Sequence, residues 1–225
     1  MIDTNIQFEP ALKYWYSQCR NYMLSINHQF DTSHRIDHID RVLKNALCIA
    51  STHNANLYVV VPAVLMHDCI PVDKRSPLRS KASRMSADEA ARKLKKWGYP
   101  YPISPISEAI ASHSFSAGLP ARTLEAQVVQ DADRLDSLGA IGIARCFSLG
   151  GVFGNQLYHA DDPQGLDRAL NDKAYTLDHF YQKLLSLHET FLTDKGRMMA
   201  FDRTEYMRQF IAKLMKEIEQ PALLT

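Results

Sequence analysis

Apolar residues recur at helical spacing along nearly the whole chain, and no stretch alternates at strand spacing for more than a few residues. Near the C-terminal end, Met207, Phe210, Ile211, Leu214, Met215 and Ile218 fall on an i, i+3, i+4, i+7, i+8, i+11 stripe, with Arg208, Lys213 and Lys216 off it. Val42, Ala46, Ile49 and Ala50 form a second stripe, and Leu57, Val60, Val64 and His67 a third. This period restricts the chain to packed helices, so an all-α fold is expected. Helices are predicted over 9–27, 37–53, 57–68, 84–97, 103–114, 122–137, 139–149, 172–187 and 194–219. A long, mobile loop is predicted over 150–170, where Gly150, Gly151, Gly154, Asp161, Asp162, Pro163 and Gly165 gather.

Some helix ends have a stated chemistry. Ser86 and Glu89 have capping-box spacing, a little inside the predicted start of their helix. Gly98 follows Lys95, Lys96 and Trp97, with Pro100 just beyond, which is a stop signal. Pro62 breaks the pattern, because a proline inside a helix loses an N–H bond and costs ~3 kcal/mol. Either that helix begins near Val60 to Pro62 or it kinks there.

At 225 residues the chain suits one domain of good size or two small ones; with no repeat, low-complexity tract or dividing linker, a single domain over 1–225 is expected. Lys and Arg number 26 against 25 Asp and Glu, a net charge of +1, which removes the diffuse attraction of a general nucleic-acid binder. The longest apolar run, Val59 to Met66, falls far short of the ~20 residues that span a bilayer. Neither nucleic acid nor membrane is therefore expected as a partner. Asp3, Glu9, Lys13 and Arg20 interrupt the N-terminal region, so no signal-peptide core is expected. The four cysteines are far apart with no C-x-x-C pair, and a reduced, cytoplasmic protein is the expectation.

Chemistry-bearing residues gather at four places: His38, the adjacent His67 and Asp68, His113, and the run Asp131, Ala132, Asp133, Arg134, Leu135, Asp136. His38 stands four residues before Val42 and eight before Ala46, on the buried stripe of its helix. His67 shares the inward face of Val60, Ala63 and Val64, and Asp68 is rotated from it by about 100°. A single histidine on an apolar face is ordinarily a satisfied core residue, and an acidic run is ordinarily solvated. An aspartate ending a run as apolar as VVVPAVLM is different, since it needs a cation, a salt bridge or a helix end. Together, imidazoles and carboxylates from several buried helices suit a divalent first-row metal.

The order His38, His67-Asp68, Asp133 on a helical chain resembles the HD-domain metal-dependent phosphohydrolase superfamily. The likeness to a bacterial branch of small stand-alone HD hydrolases, among them nucleotide pyrophosphohydrolases, extends over Asp31 to His34, His38 to Val42, Met66 to Ile70, Ala111 to Phe115 and Gln130 to Asp136. It continues through Gly139 to Arg145 and Leu177 to Phe180, covering most of 11–215. The resemblance implies one helical HD domain holding a single divalent ion on His38, His67, Asp68 and Asp133. Asp131 competes with Asp133 for the fourth position but faces almost the opposite side of a helix. The chain departs from the branch at Arg35, often acidic there, which leaves His34 open between a phosphate donor and a structural partner.

Two histidines and two carboxylates leave open positions on a six-coordinate ion, which suits Mn²⁺ or Mg²⁺, with Ni²⁺, Co²⁺, Fe²⁺ and Zn²⁺ as alternatives. His113 is the candidate proton donor or phosphate contact, and Asp68 or Asp136 orients the nucleophile or a ligand. The segment after the His-Asp pair is basic, and Lys74, Arg79 and Lys81 are the expected phosphate contacts, with Arg134 a further one. The expected activity is metal-dependent hydrolysis of a small phosphorylated substrate, such as a (deoxy)nucleoside triphosphate. A non-catalytic metal- and nucleotide-binding sensor and a di-iron oxygenase on the same scaffold are the alternatives. The aromatic and Met-rich terminal helix, with Phe201, Tyr206, Met207, Phe210 and Met215, fits either a monomer's core or a homodimer face.

Overall fold

The computed structural model describes residues 8–26, 36–72, 76–114 and 117–219. Its helices are α1 (Pro10–Ile26), α2 (Ile36–Ala50), α3 (Leu57–Met66), α4 (Ala82–Lys96), α5 (Ser104–Ser112), α6 (Leu124–Leu135), α7 (Gly139–Phe153), α8 (Thr176–His179) and α9 (Asp194–Ile218). Among the described residues there is no strand, only an isolated bridge between Gln156 and Tyr175, so the all-α expectation holds. Backbone contacts group the chain into two compact units, Met1–Asp133 and Arg134–Thr225.

The first unit is built around α3. Val59 through Met66 are all buried, as a helix apolar on every side has to be. It packs against α1, α2, α4 and α5. From α1 come Leu12, Trp15, Cys19 and Met23, and from α2 Ile39, Val42, Leu43, Ala46 and Ile49, each set at helical period. Asn56 caps α3 by accepting from the Tyr58 N–H at 2.9 Å. Pro62 therefore sits inside the helix rather than at its start. The Tyr58 carbonyl, which residue 62 would normally serve, instead accepts a hydrogen bond from the buried Tyr99 hydroxyl. Tyr99 in turn packs edge-on against Trp15, ring centres 4.7 Å apart.

Two local expectations are corrected. The Ser86–Glu89 capping box is not formed, because α4 begins at Ala82 and leaves Ser86 in its interior, fully buried. The Ser86 hydroxyl accepts from the Ile70 N–H at 3.2 Å, while Glu89 pairs with Arg92 and accepts from Tyr22. In the second unit, the helix predicted over 172–187 is only one turn long, followed by a π-turn (Phe180–Leu184) and a 3-10 turn (Leu187–Thr190).

The predicted loop starts late, since α7 runs on to Phe153 and stops at Gly154, whose φ of 74° suits a residue without a Cβ. Beyond it the chain is tied down. Asp162 accepts from the Leu166 and Asp167 N–H groups, and Arg168 clamps Asp178 through both terminal guanidinium nitrogens. Within this unit α7 packs against α9, with Phe147 between Phe180 and Phe210. Met207 and Met215 are buried, whereas Phe201 and Tyr206 are exposed, so α9 is partly core and partly surface. Among the described residues no single helix is long and apolar enough to cross a membrane.

Candidate metal centre

Three helix ends in the first unit meet at one place. His67 is the C-cap of α3, His113 is the C-cap of α5, and Asp133 lies in the last turn of α6. A helix C-terminus carries unpaired carbonyls and the negative end of the macrodipole, about −0.5 charge, which favours a cation nearby. His38 joins them from the first turn of α2.

The donor atoms converge. His38 Nε2 lies 3.4 Å from Asp133 Oδ1, and His67 Nε2 lies 3.7 Å from both Asp133 Oδ1 and Asp68 Oδ2. His113 Nε2 faces the other Asp68 oxygen, Oδ1, at 3.6 Å. His38, His67 and Asp133 form one group able to hold an ion, and His67, Asp68 and His113 form another, with ligand atoms in each within 4.8 Å of one another. Ligands at about 2.1 Å from an ion lie roughly 3–4 Å from each other, so these spacings fit. The three histidines are at most 3% exposed, while the side chains of Asp68 and Asp133 are 17% and 26% exposed. The carboxylates thus form the open rim of a buried imidazole floor.

Two histidines have their tautomer fixed by the same device. His67 Nδ1 lies 2.7 Å from the Val64 carbonyl and His113 Nδ1 lies 2.6 Å from the Ile110 carbonyl, each three residues back in its own helix. A carbonyl only accepts, so Nδ1 carries the hydrogen in both; the neutral His67 ring turns its Nε2 lone pair inward, while His113 Nε2 faces the Asp68 carboxylate. His67 Nε2 is fully buried with no hydrogen-bond partner among the described residues, an arrangement that costs free energy unless a cation takes the lone pair.

The electrostatics follow. Burial lowers the His67 pKa to about 4, outweighing the opposing pull of Asp68 and Asp133. For His113 burial works against the charged form, but the Asp68 carboxylate more than compensates and raises the pKa. Burial also opposes charge on Asp133, and there His38, with the His67 and His113 rings, prevails and holds the carboxyl well below the usual range.

The other expected site residues are distributed as follows. Asp131 is completely buried and lies in neither group. Arg79 and Lys81 form a 3-10 turn that leads directly into α4, Arg79 half-buried and Lys81 exposed. Asp136 and Arg134 belong to the second unit. There Asp136 is buried against Arg145 at 2.7 Å, and Arg134 donates to the Thr190 carbonyl at 2.8 Å. His34 and Lys74 lie outside the described residues.

Sequence reasoning passed over several polar residues beside the site. Asn45 Nδ2 donates to the Ala132 carbonyl at 3.1 Å, and Gln130 Nε2 donates to the Ser112 carbonyl at 2.9 Å. Ser83 donates to the Ala111 carbonyl at 2.9 Å. The available signal was an amide three residues after Val42 and four before Ile49, a polar group on an apolar stripe.

Comparison with known proteins places this geometry in a family. Residues 35–138 match the HD domain. The Bacillus subtilis protein YpgQ is 31% identical over 201 residues, spanning 89% of this chain and 92% of its own. The crystal structure of B. subtilis YpgQ in complex with ADP superposes with a TM-score of 0.72 at 33% identity, over 93% of this chain and 98% of that one. The crystal structure of an HD-superfamily hydrolase from Bacillus thuringiensis gives 0.72 at 28% identity, over 93% and 100%.

Proposed function

The chain belongs to the HD-domain family, and on that premise we propose that it is a divalent-metal-dependent phosphohydrolase acting on a small phosphorylated molecule of the nucleotide class. The observation that carries this reading is the inward-facing set of His38, His67, Asp68 and Asp133, two helix ends and a first turn brought to one point. These four residues would hold the ion, and their mixed nitrogen and oxygen donors suit Mn²⁺ or Mg²⁺. When bound, such an ion lowers the pKa of a water and polarises a phosphoryl oxygen.

The protein groups supply the rest. Asp68 lies between His67 and His113, one oxygen toward each. Through Oδ1 it orients the His113 ring and favours its protonated form. His113, fixed at Nδ1 by the Ile110 carbonyl, presents a proton at Nε2. As the water oxygen bonds to phosphorus and the bond to the leaving oxygen breaks, that proton passes to the leaving group, and a proton of the attacking water is released to solvent, from which His113 is reprotonated. Arg79 and Lys81, at the entry to α4, are the proposed phosphate contacts, with Lys74 of the same basic segment, and His34 from the resemblance. The ADP held by the YpgQ crystal structure supports a nucleotide as the substrate class.

The test is a screen of Mn²⁺- and Mg²⁺-loaded protein against nucleoside di- and triphosphates, with orthophosphate and pyrophosphate release measured separately. Asp68→Ala serves as the blank. We expect turnover of at least one nucleotide, and an Asp68→Ala variant that stays folded while losing metal and activity together. Full activity in Asp68→Ala would overturn the assignment.

A further inference from the structure

We propose that Asn45 and Gln130 are positioning residues that set the register of the helix ends forming the metal centre, an inference that rests on the metal-centre reading above. Each places an amide N–H on the backbone carbonyl immediately preceding a site residue. Asn45, seven residues beyond His38 on α2, donates to the carbonyl of Ala132, the neighbour of Asp133. Gln130, three residues before Asp133 on α6, donates to the carbonyl of Ser112, the neighbour of His113. Both amides are buried, at 7% and 4% exposure.

The chemistry of helix ends explains why amides serve here. The carbonyls of Ala132 and Ser112 lie in the last turns of α6 and α5, where the intrahelical hydrogen-bond ladder runs out. Left unpaired in the core, each would cost free energy. A side-chain amide from a neighbouring helix satisfies the carbonyl, and it also fixes the distance between two segments that carry site residues. Asn45 ties the helix of His38 to the turn of Asp133, the pair whose donor atoms are 3.4 Å apart. Gln130 ties the helix of Asp133 to the end of α5 that carries His113. The links run α2 to α6 to α5, so a shift at one link moves one donor relative to the others. Groups that orient ligands in this way typically change metal affinity 10- to 100-fold when removed.

The experiment titrates Mn²⁺ and Co²⁺ into the full-length protein and into Asn45→Leu, Asn45→Asp and Gln130→Met. Calorimetry gives the affinity, and visible absorption of the Co²⁺ form reports ligand geometry without reference to activity. Ile106→Val, a buried α5 change away from the site, supplies a control of lowered melting temperature. We expect each of the three variants to bind about 10- to 100-fold more weakly with an altered Co²⁺ spectrum, and Ile106→Val to bind as the wild type does. Asn45→Asp is the sharpest arm. It keeps the shape and adds negative charge, so tighter binding would mean that local charge, not register, governs the site and would overturn the proposal. Wild-type affinity and spectrum in folded Asn45→Leu and Gln130→Met would overturn it while leaving the metal centre intact. Failure of the wild type itself to bind either ion would overturn both readings.

Discussion

At the scale of single residues, the clearest electrostatic commitment outside the metal centre is Asp178. Its carboxylate is fully buried and accepts from Arg168 Nη1 at 2.6 Å, Arg168 Nη2 at 2.7 Å and the Asn171 N–H at 2.6 Å. The Arg168 bonds are the main reason its pKa lies below the ordinary carboxylate value, with burial acting in the opposite direction. The folded-state value is therefore lower than the unfolded one. Such a group stabilises the fold fully above the unfolded pKa of about 3.9, and the contribution disappears as pH falls through the folded value. Asp178→Asn keeps the shape but removes the charge. We expect its urea midpoint to lie below the wild type at pH 7, with the gap starting to narrow below about pH 4. An equal gap at pH 7 and pH 3 would mean that the charge is not what matters. The sequence displayed Asp178 only as one acidic residue in a helical-looking segment. Its partner, ten residues back beyond two turns, has no periodic relation to it. The same limit applies to Asp136, whose place in the acidic run suggested a role at the site, whereas its carboxylate is held by Arg145 nine residues on.

At the scale of elements, most helices were legible because their buried faces repeat at 3.6 residues, and the ends that went astray did so for local reasons. The segment over 172–187 has helical apolar spacing, yet Asp178 holds the Asn171 N–H and Arg168 in place. The chain before Thr176 stays looped, and the residues after His179 form a π-turn. Pro62 is the more instructive case. Its helix neither starts late nor stops, because Tyr99, 37 residues later, donates to the carbonyl that the proline cannot serve. No local pattern could reveal that donor. Tyr99→Phe removes it and leaves the Tyr58 carbonyl unserved, so we expect a loss of about 1–3 kcal/mol in unfolding free energy. The same change in a Pro62→Ala background should cost markedly less, because the alanine restores the N–H within the helix. Equal costs in the two backgrounds, measured by urea unfolding, would show that the hydroxyl does not replace the missing helical bond.

At the scale of the whole molecule, the proposed ion ligands come from α2, the end of α3 and the last turn of α6, with His113 beside them at the end of α5, all within Met1–Asp133. The segments are separated by up to ninety-odd residues of sequence, which is why residue types and their order were readable while the geometry was not: spacing along a helix says which face His38 occupies, but not which carbonyl Asn45 will meet. This placement also has a thermodynamic consequence. An ion that binds only the assembled site stabilises whatever must unfold to release it, by about 2.7 kcal/mol when its free concentration is about 100 times Kd. That energy is delivered through α2, α3 and α6, which supply the ligands, and through α5, whose His113 is held against Asp68. In hydrogen exchange with saturating Mn²⁺, we therefore expect the most protected amides of α2, α3, α5 and α6 to slow by about 100-fold. Asp68→Ala should show no such slowing at the same Mn²⁺ concentration. Slowing of equal size in that variant, or slowing confined to residues 134–225, would place the ion elsewhere, because an ion held by these donors can only protect the helices that bring them together.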